Sequence, residues 1–86
     1  MNEREEMIVL AVLKSLKTLE GYSVPEAVLH AEVNLRVIPN ARLSEFDQAL
    51  KLAETKRWIL SVRSKLGAVK WSLTDEGMAA YLELCK

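Results

Sequence analysis

The sequence predicts a mostly helical α+β fold, with a three-helix core, a β-hairpin and a C-terminal helix. Three observations point to it. Apolar residues recur at helical spacing in three separate stretches before residue 56. Val69, Trp71 and Leu73 then alternate with Lys70 and Ser72 after a turn signal at Gly67, the pattern of a strand buried on one face. Thr74, followed by Asp75 and Glu76, opens a last helix.

The 86 residues suit one domain, 1–86, because two would each lack a sufficient core. A chain of this size buries roughly 60% of its unfolded surface. No internal repeat, low-complexity tract or Pro/Gly-rich linker interrupts it.

The first helix is expected over about Asn2 to Leu19, with Ile8, Val12, Leu16 and Leu19 forming an apolar stripe beside Val9 and Leu13. Glu3, Glu5 and Glu6 favour its positive N-terminal end, and Gly21 suits its termination. Tyr22 and Ser23 form a short extended connection. Ser23 and Glu26 match a capping box, with Pro25 in the first turn of a second helix that buries Val28 and Ala31. Pro39 disfavours helix at Ile38 and ends this segment. Ser44 is the expected cap of a third helix, about Glu45 to Lys56, whose inward stripe is Phe46, Ala49, Leu50 and Ala53. Trp58 to Arg63 reads as a strand, joined through Lys65 to Ala68 to the strand holding Trp71. In the last helix Met78, Tyr81, Leu82 and Cys85 share one face. Helix, short strand, helix, helix, hairpin, helix is the order of a winged helix-turn-helix.

Leu50-x-x-Ala53-x-x-x-x-Trp58-Ile59, followed by a hairpin and Trp71-Ser72-Leu73-Thr74-Asp75-Glu76-Gly77, resembles winged-helix transcription regulators. In particular it is similar to the multiple-antibiotic-resistance and phenolic-acid regulator families, over about Ser23 to Leu82. The resemblance implies a recognition helix followed by a wing. It also leads one to expect a glycine after that helix, where Arg57 stands. Glu45, Asp47 and Glu54 are a further departure, an unusual acid load for a surface that meets phosphates.

Formal net charge is zero, which opposes strong nonspecific binding to phosphate polymers. Its distribution is uneven. Residues 35–74 hold eight bases against three acids, net +5, while residues 1–34 are net −3 and residues 75–86 net −2. The excess lies in the third helix, the loop before it and the hairpin, which in a winged helix are the parts that meet DNA. Arg42, Arg63, Lys65 and Lys70 are the candidate cationic contacts, the hairpin three to phosphates. Gln48, Lys51 and Thr55 fall opposite the Phe46/Leu50 stripe; Gln48 suits an adenine edge, and Lys51 a guanine or a phosphate. The expected function is a DNA-binding regulator using the third helix and the wing. A winged helix serving protein contacts without DNA is the alternative, favoured by the zero net charge and the acids of the third helix.

Met7 and Leu10 lie off the stripe of the first helix, as Leu84 does in the last. These three are candidates for a homodimer interface, set against a helix that is simply buried more widely or single exposed apolar residues that have no role. No enzyme chemistry, cofactor or metal is expected. His30 is the sole histidine and has no carboxylate or cysteine at ligand spacing. Cys85 has no base near it in sequence and reads as a small apolar contact. The serines lack a Gly-x-Ser-x-Gly turn, and the three glycines are too scattered for a phosphate loop. Trp58 and Trp71 suit packing better than base stacking. The longest apolar run, Met7 to Leu13, is too short to span a bilayer, and with no signal peptide a cytoplasmic location is expected.

Overall fold

The computed structural model describes residues 2–19 and 22–85. Its elements are α1 (Glu3–Thr18), β1 (Val24–Pro25), α2 (Glu26–Asn34), α3 (Leu43–Thr55), β2 (Ile59–Arg63), β3 (Val69–Leu73) and α4 (Asp75–Leu84). The three strands form an antiparallel sheet in the order β1-β3-β2.

Helix α1 is the hub, packed against α2, α3, α4 and β3. The Asn2 side chain caps it by accepting the Glu5 N–H at 2.8 Å. Ile8, Val9, Val12, Leu13 and Leu16 are buried along it, as the stripe predicts. Leu29, Val33, Val37, Phe46, Ala53, Ile59 and Trp71 close over them. Each large apolar side chain so buried contributes about 1.5–3 kcal/mol. Ser15 is the one buried polar residue among the described residues, and its Oγ accepts from Arg36 at 3.3 Å. Gly21, the expected terminator of α1, lies outside the described residues.

Several local expectations need correction. The extended segment is Val24–Pro25, not Tyr22–Ser23, because Val24 pairs with Trp71 and Pro25 with Lys70 in the sheet. This edge position suits a proline, which has no N–H to donate. Pairing carries the chain past Ser23, so Pro25 becomes the cap residue of α2 and no Ser23–Glu26 capping box forms. The Glu26 carboxylate instead accepts the Trp71 indole N–H at 3.2 Å. With that start, α2 buries Leu29 and Val33, while Val28 and Ala31 face outward.

Helix α3 begins at Leu43, not after Ser44. Arg42 is its cap residue, and the Glu45 carboxylate reaches back to accept the Arg42 N–H at 3.0 Å. Its inward stripe is the expected Phe46, Ala49, Leu50 and Ala53. In α4, Tyr81 and Leu84 pack on the core, whereas Leu82 and Cys85 are exposed. Gly77 sets that rotation: a Cβ there would overlap the Trp58 carbonyl and crowd the Leu73 side chain.

Arg57 has φ +62°. Its N–H donates to the Glu54 carbonyl and the Trp58 N–H to the Ala53 carbonyl, both at 2.9 Å. This is a Schellman motif with the left-handed position filled by arginine, where glycine is usual. The glycine that the resemblance implies is thus absent as a residue, while the conformation it would serve is present.

Candidate nucleic-acid interface

The helical period puts Ser44, Gln48, Lys51 and Thr55 along the crest of α3, opposite Phe46 and Ala53, and all four are exposed. Arg42 stands exposed at its N-terminal end. The Thr55 hydroxyl donates to the Lys51 carbonyl at 2.8 Å, which leaves its lone pairs outward. Gln48 offers a donor and an acceptor side by side, the pattern an adenine edge matches.

Of the three acids of α3, Glu45 and Glu54 have hydrogen-bond partners, and Asp47 lies on the flank of this crest beside Lys51. Glu45 accepts from Arg4 Nε at 3.0 Å and from Arg4 Nη2 at 3.2 Å. Bonded first to Arg4 and then to the Arg42 N–H, its carboxyl is held down at about 2. Glu54 accepts the Ser61 hydroxyl at 3.3 Å. Asp47 and Glu54 line one flank of α3, around a pocket of about 180 Å³ shared with Glu26, Leu50, Lys51 and Trp71. Acid therefore gathers in the angle between α2, α3 and the sheet.

The strand register distributes the hairpin cations. Ser61 lies opposite Trp71 and Arg63 opposite Val69, on the face that looks toward α3. Leu60 lies opposite Ser72 and Val62 opposite Lys70, on the other face. Arg63 and Lys65 are exposed, and Lys70 is half-buried. The fold thus brings Arg63 to the α3 side, sets Lys65 in the turn and puts Lys70 on the far side. No ion pair engages Lys51, Arg63, Lys65 or Lys70 among the described residues; the two pairs present are Arg4–Glu45 and Arg36–Glu32.

The hinge between α3 and the hairpin explains why Leu73-Thr74-Asp75-Glu76-Gly77 takes its form. The Thr74 hydroxyl lies 2.7 Å from the Arg57 carbonyl and 2.9 Å from that of Trp58, and accepts the Gly77 N–H at 2.9 Å. One side chain thereby caps α4 and ties it to the end of α3. Sequence reasoning assigned Thr74 the cap and missed the tie, which no local pattern signals. It also missed Arg4, whose partner is 41 residues away.

On the opposite side, Met7, Leu10, Lys14, Arg36, Tyr81 and Cys85 surround a groove of about 280 Å³ between α1 and α4. Met7 is 44% exposed and Leu10 half-buried, while Leu84, expected off the buried face, leans on the core. The neighbouring Cys85 thiol pushes the pKa of the Tyr81 hydroxyl above its ordinary value. His30 stacks on Phe46 with ring centroids 4.5 Å apart, and its Nε2–H donates to the Ala41 carbonyl at 3.0 Å. Among the described residues no group of three or more His, Cys, Asp or Glu could hold a metal ion. Nor is any described helix long and apolar enough to cross a membrane.

No protein-family model and no curated protein matches the sequence. Among solved structures the chain is similar to SSV1 F-93, with a TM-score of 0.67 and 14% identity over 98% of this chain and 83% of that one. That likeness concerns the path of the backbone, and together with four helices around a three-stranded antiparallel sheet it establishes a winged helix-turn-helix fold.

Proposed function

We propose that this chain is a DNA-binding module of a transcription regulator. It contacts duplex DNA through Gln48, Lys51 and Thr55 on α3, with Arg42 at that helix's start and Arg63 and Lys65 on the wing. The observation that carries this reading is the separation of charge on α3. Ser44, Gln48, Lys51 and Thr55 carry no carboxylate, Glu45 is held by Arg4, and Asp47 and Glu54 lie to one flank. Unpaired cations then stand on both elements that reach a duplex in this fold. The resemblance of Trp71 to Gly77 to winged-helix regulators supports the same conclusion.

Binding by one copy engages few phosphates, so affinity for a half-site is weak and a two-fold dimer would compensate. Met7 and Leu10, beside the groove between α1 and α4, are the surface proposed for it. Sedimentation at micromolar concentration tests this; a strict monomer rejects it.

The second reading, a protein-binding winged helix, is favoured by one observation: the carboxylates of Glu26, Asp47 and Glu54 around the pocket beside Trp71. Fluorescence anisotropy with a random-sequence duplex at low and raised salt separates the two. Binding at low salt that weakens as salt rises is expected for the DNA module. No binding at low salt, or binding indifferent to salt, favours the protein partner.

A further inference from the structure

We propose that the hairpin tip is a wedge for the DNA minor groove, with Leu66 as its apolar point. The inference rests on the DNA-binding reading and adds how the wing meets the duplex.

The tip is a well-defined turn. The Ser64 carbonyl accepts the Gly67 N–H at 2.9 Å, and the Ser64 N–H donates to the Ala68 carbonyl at 2.9 Å. The Ala68 N–H donates to Ser64 Oγ at 3.1 Å. Gly67, at φ +84°, supplies the left-handed residue that closes a three-residue loop. Lys65 and Leu66 fill the two central positions of the turn, and polar residues are usual at the second of them.

Leu66 is 98% exposed, ahead of every other large apolar side chain described. One exposed leucine is ordinary on a protein surface. Here, however, the residue stands beyond the last strand pair, Arg63 with Val69, where none of the described residues covers it. Its charge setting is equally one-sided. From Ile59 to Thr74 the chain carries Arg63, Lys65 and Lys70 and not one Asp or Glu. An apolar point between cations, with no acid nearby, is complementary to a polyanion that has an apolar interior. Stacked bases behind a phosphate backbone are such a target. Apolar wedges of this kind part a base step and bend the duplex, most readily at pyrimidine–purine steps.

The experiment uses the whole chain and two probes that need no knowledge of a target sequence. A fluorescein-labelled random duplex reports binding by anisotropy, and a relaxed plasmid treated with topoisomerase I reports unwinding as a change in linking number. Wild type is expected to bind the duplex and to shift the linking number. Leu66→Ala should bind within about threefold of wild type and melt at the same temperature, yet leave the linking number unchanged. Leu66→Met should retain the shift. Wild type that binds the duplex without altering plasmid topology, or Leu66→Ala that alters it as wild type does, overturns the wedge and leaves the DNA reading intact. Absence of duplex binding at low salt overturns both. Capture of that non-binding wild type by phosphatidylserine vesicles, lost in Leu66→Ala, would assign the tip to a membrane surface instead.

Discussion

The Arg4 guanidinium grips the Glu45 carboxylate through two nitrogens, at 3.0 and 3.2 Å, and joins the first turn of α1 to the first turn of α3. Arg4 Nη2 also donates to the Pro39 carbonyl at 2.9 Å and the Asn40 carbonyl at 3.3 Å, so the loop entering α3 hangs on the same group. The helix that presents Gln48 and Lys51 is thereby oriented from its N-terminal end by α1.

This arrangement makes part of the stability acid-sensitive. Glu45 ordinarily titrates near 4.5 and is held at about 2 in the fold. A carboxyl whose pKa is depressed by folding adds stability that is complete above its unfolded value and disappears as pH falls through the folded one. The contribution should therefore be intact at pH 7, decline from about pH 4.5 and be gone near pH 2. Glu45→Gln should melt below wild type at neutral pH, with the gap closing across that window. A gap that stays constant down to pH 2 would show that the carboxylate charge is not what matters.

Arg57 supplies a second test. A residue with a Cβ in the left-handed region costs about 1–2 kcal/mol, while glycine adds about 0.5–1 kcal/mol of unfolded-chain entropy. Arg57→Gly is therefore expected to raise stability by about 0.5–1 kcal/mol in urea denaturation. Arg57→Asn, which removes the same charge but tolerates this conformation less well than glycine, should gain less. Equal gains from both would trace the effect to charge and not to the backbone.

Gly77 is constrained by neighbours and not by its dihedral angles. Any Cβ overlaps the Trp58 carbonyl, and that carbonyl is already committed to the Thr74 N–H at 3.0 Å. Gly77→Ala must displace α4 from the sheet and should lose about 1–3 kcal/mol, read as a lower melting temperature. Retention of the wild-type melting temperature would mean that α4 is free to shift.

The helices, the hairpin and their order were legible because they depend on periodicity: the stripe of Ile8, Val12 and Leu16, and the alternation of Val69, Trp71 and Leu73. The start of α2 was not, because Val24 and Pro25 are recruited by partners in a distant strand, Trp71 and Lys70, and that pairing overrides the local Ser23–Glu26 capping signal. The same long-range pull exchanged Val28 for Leu29 in the core. On α3 the outward position of Gln48, Lys51 and Thr55 follows from the helical period alone. That Glu45 and Glu54 have partners does not, since Arg4 and Ser61 come from other elements. Read along the sequence, those acids argue against a phosphate-facing surface; in the fold that objection is much weaker.

Strand register gives the sharpest test of how the wing is used. Lys65 stands in the exposed turn, whereas Lys70 is half-buried opposite Val62, on the face turned away from α3. If the wing approaches the duplex with its α3 side and its tip, reversing charge at Lys65 must bring a carboxylate against phosphate, and reversing it at Lys70 must not. Lys65→Glu should therefore weaken duplex binding strongly and flatten its salt dependence, with the melting temperature nearly unchanged, because nothing in the fold leans on that side chain. Lys70→Glu should leave affinity much closer to wild type. Anisotropy titrations of both variants at two salt concentrations check the pair, and equal losses at the two positions would mean that the wing lies along the DNA by its outer face, with Leu60 and Val62 toward the duplex.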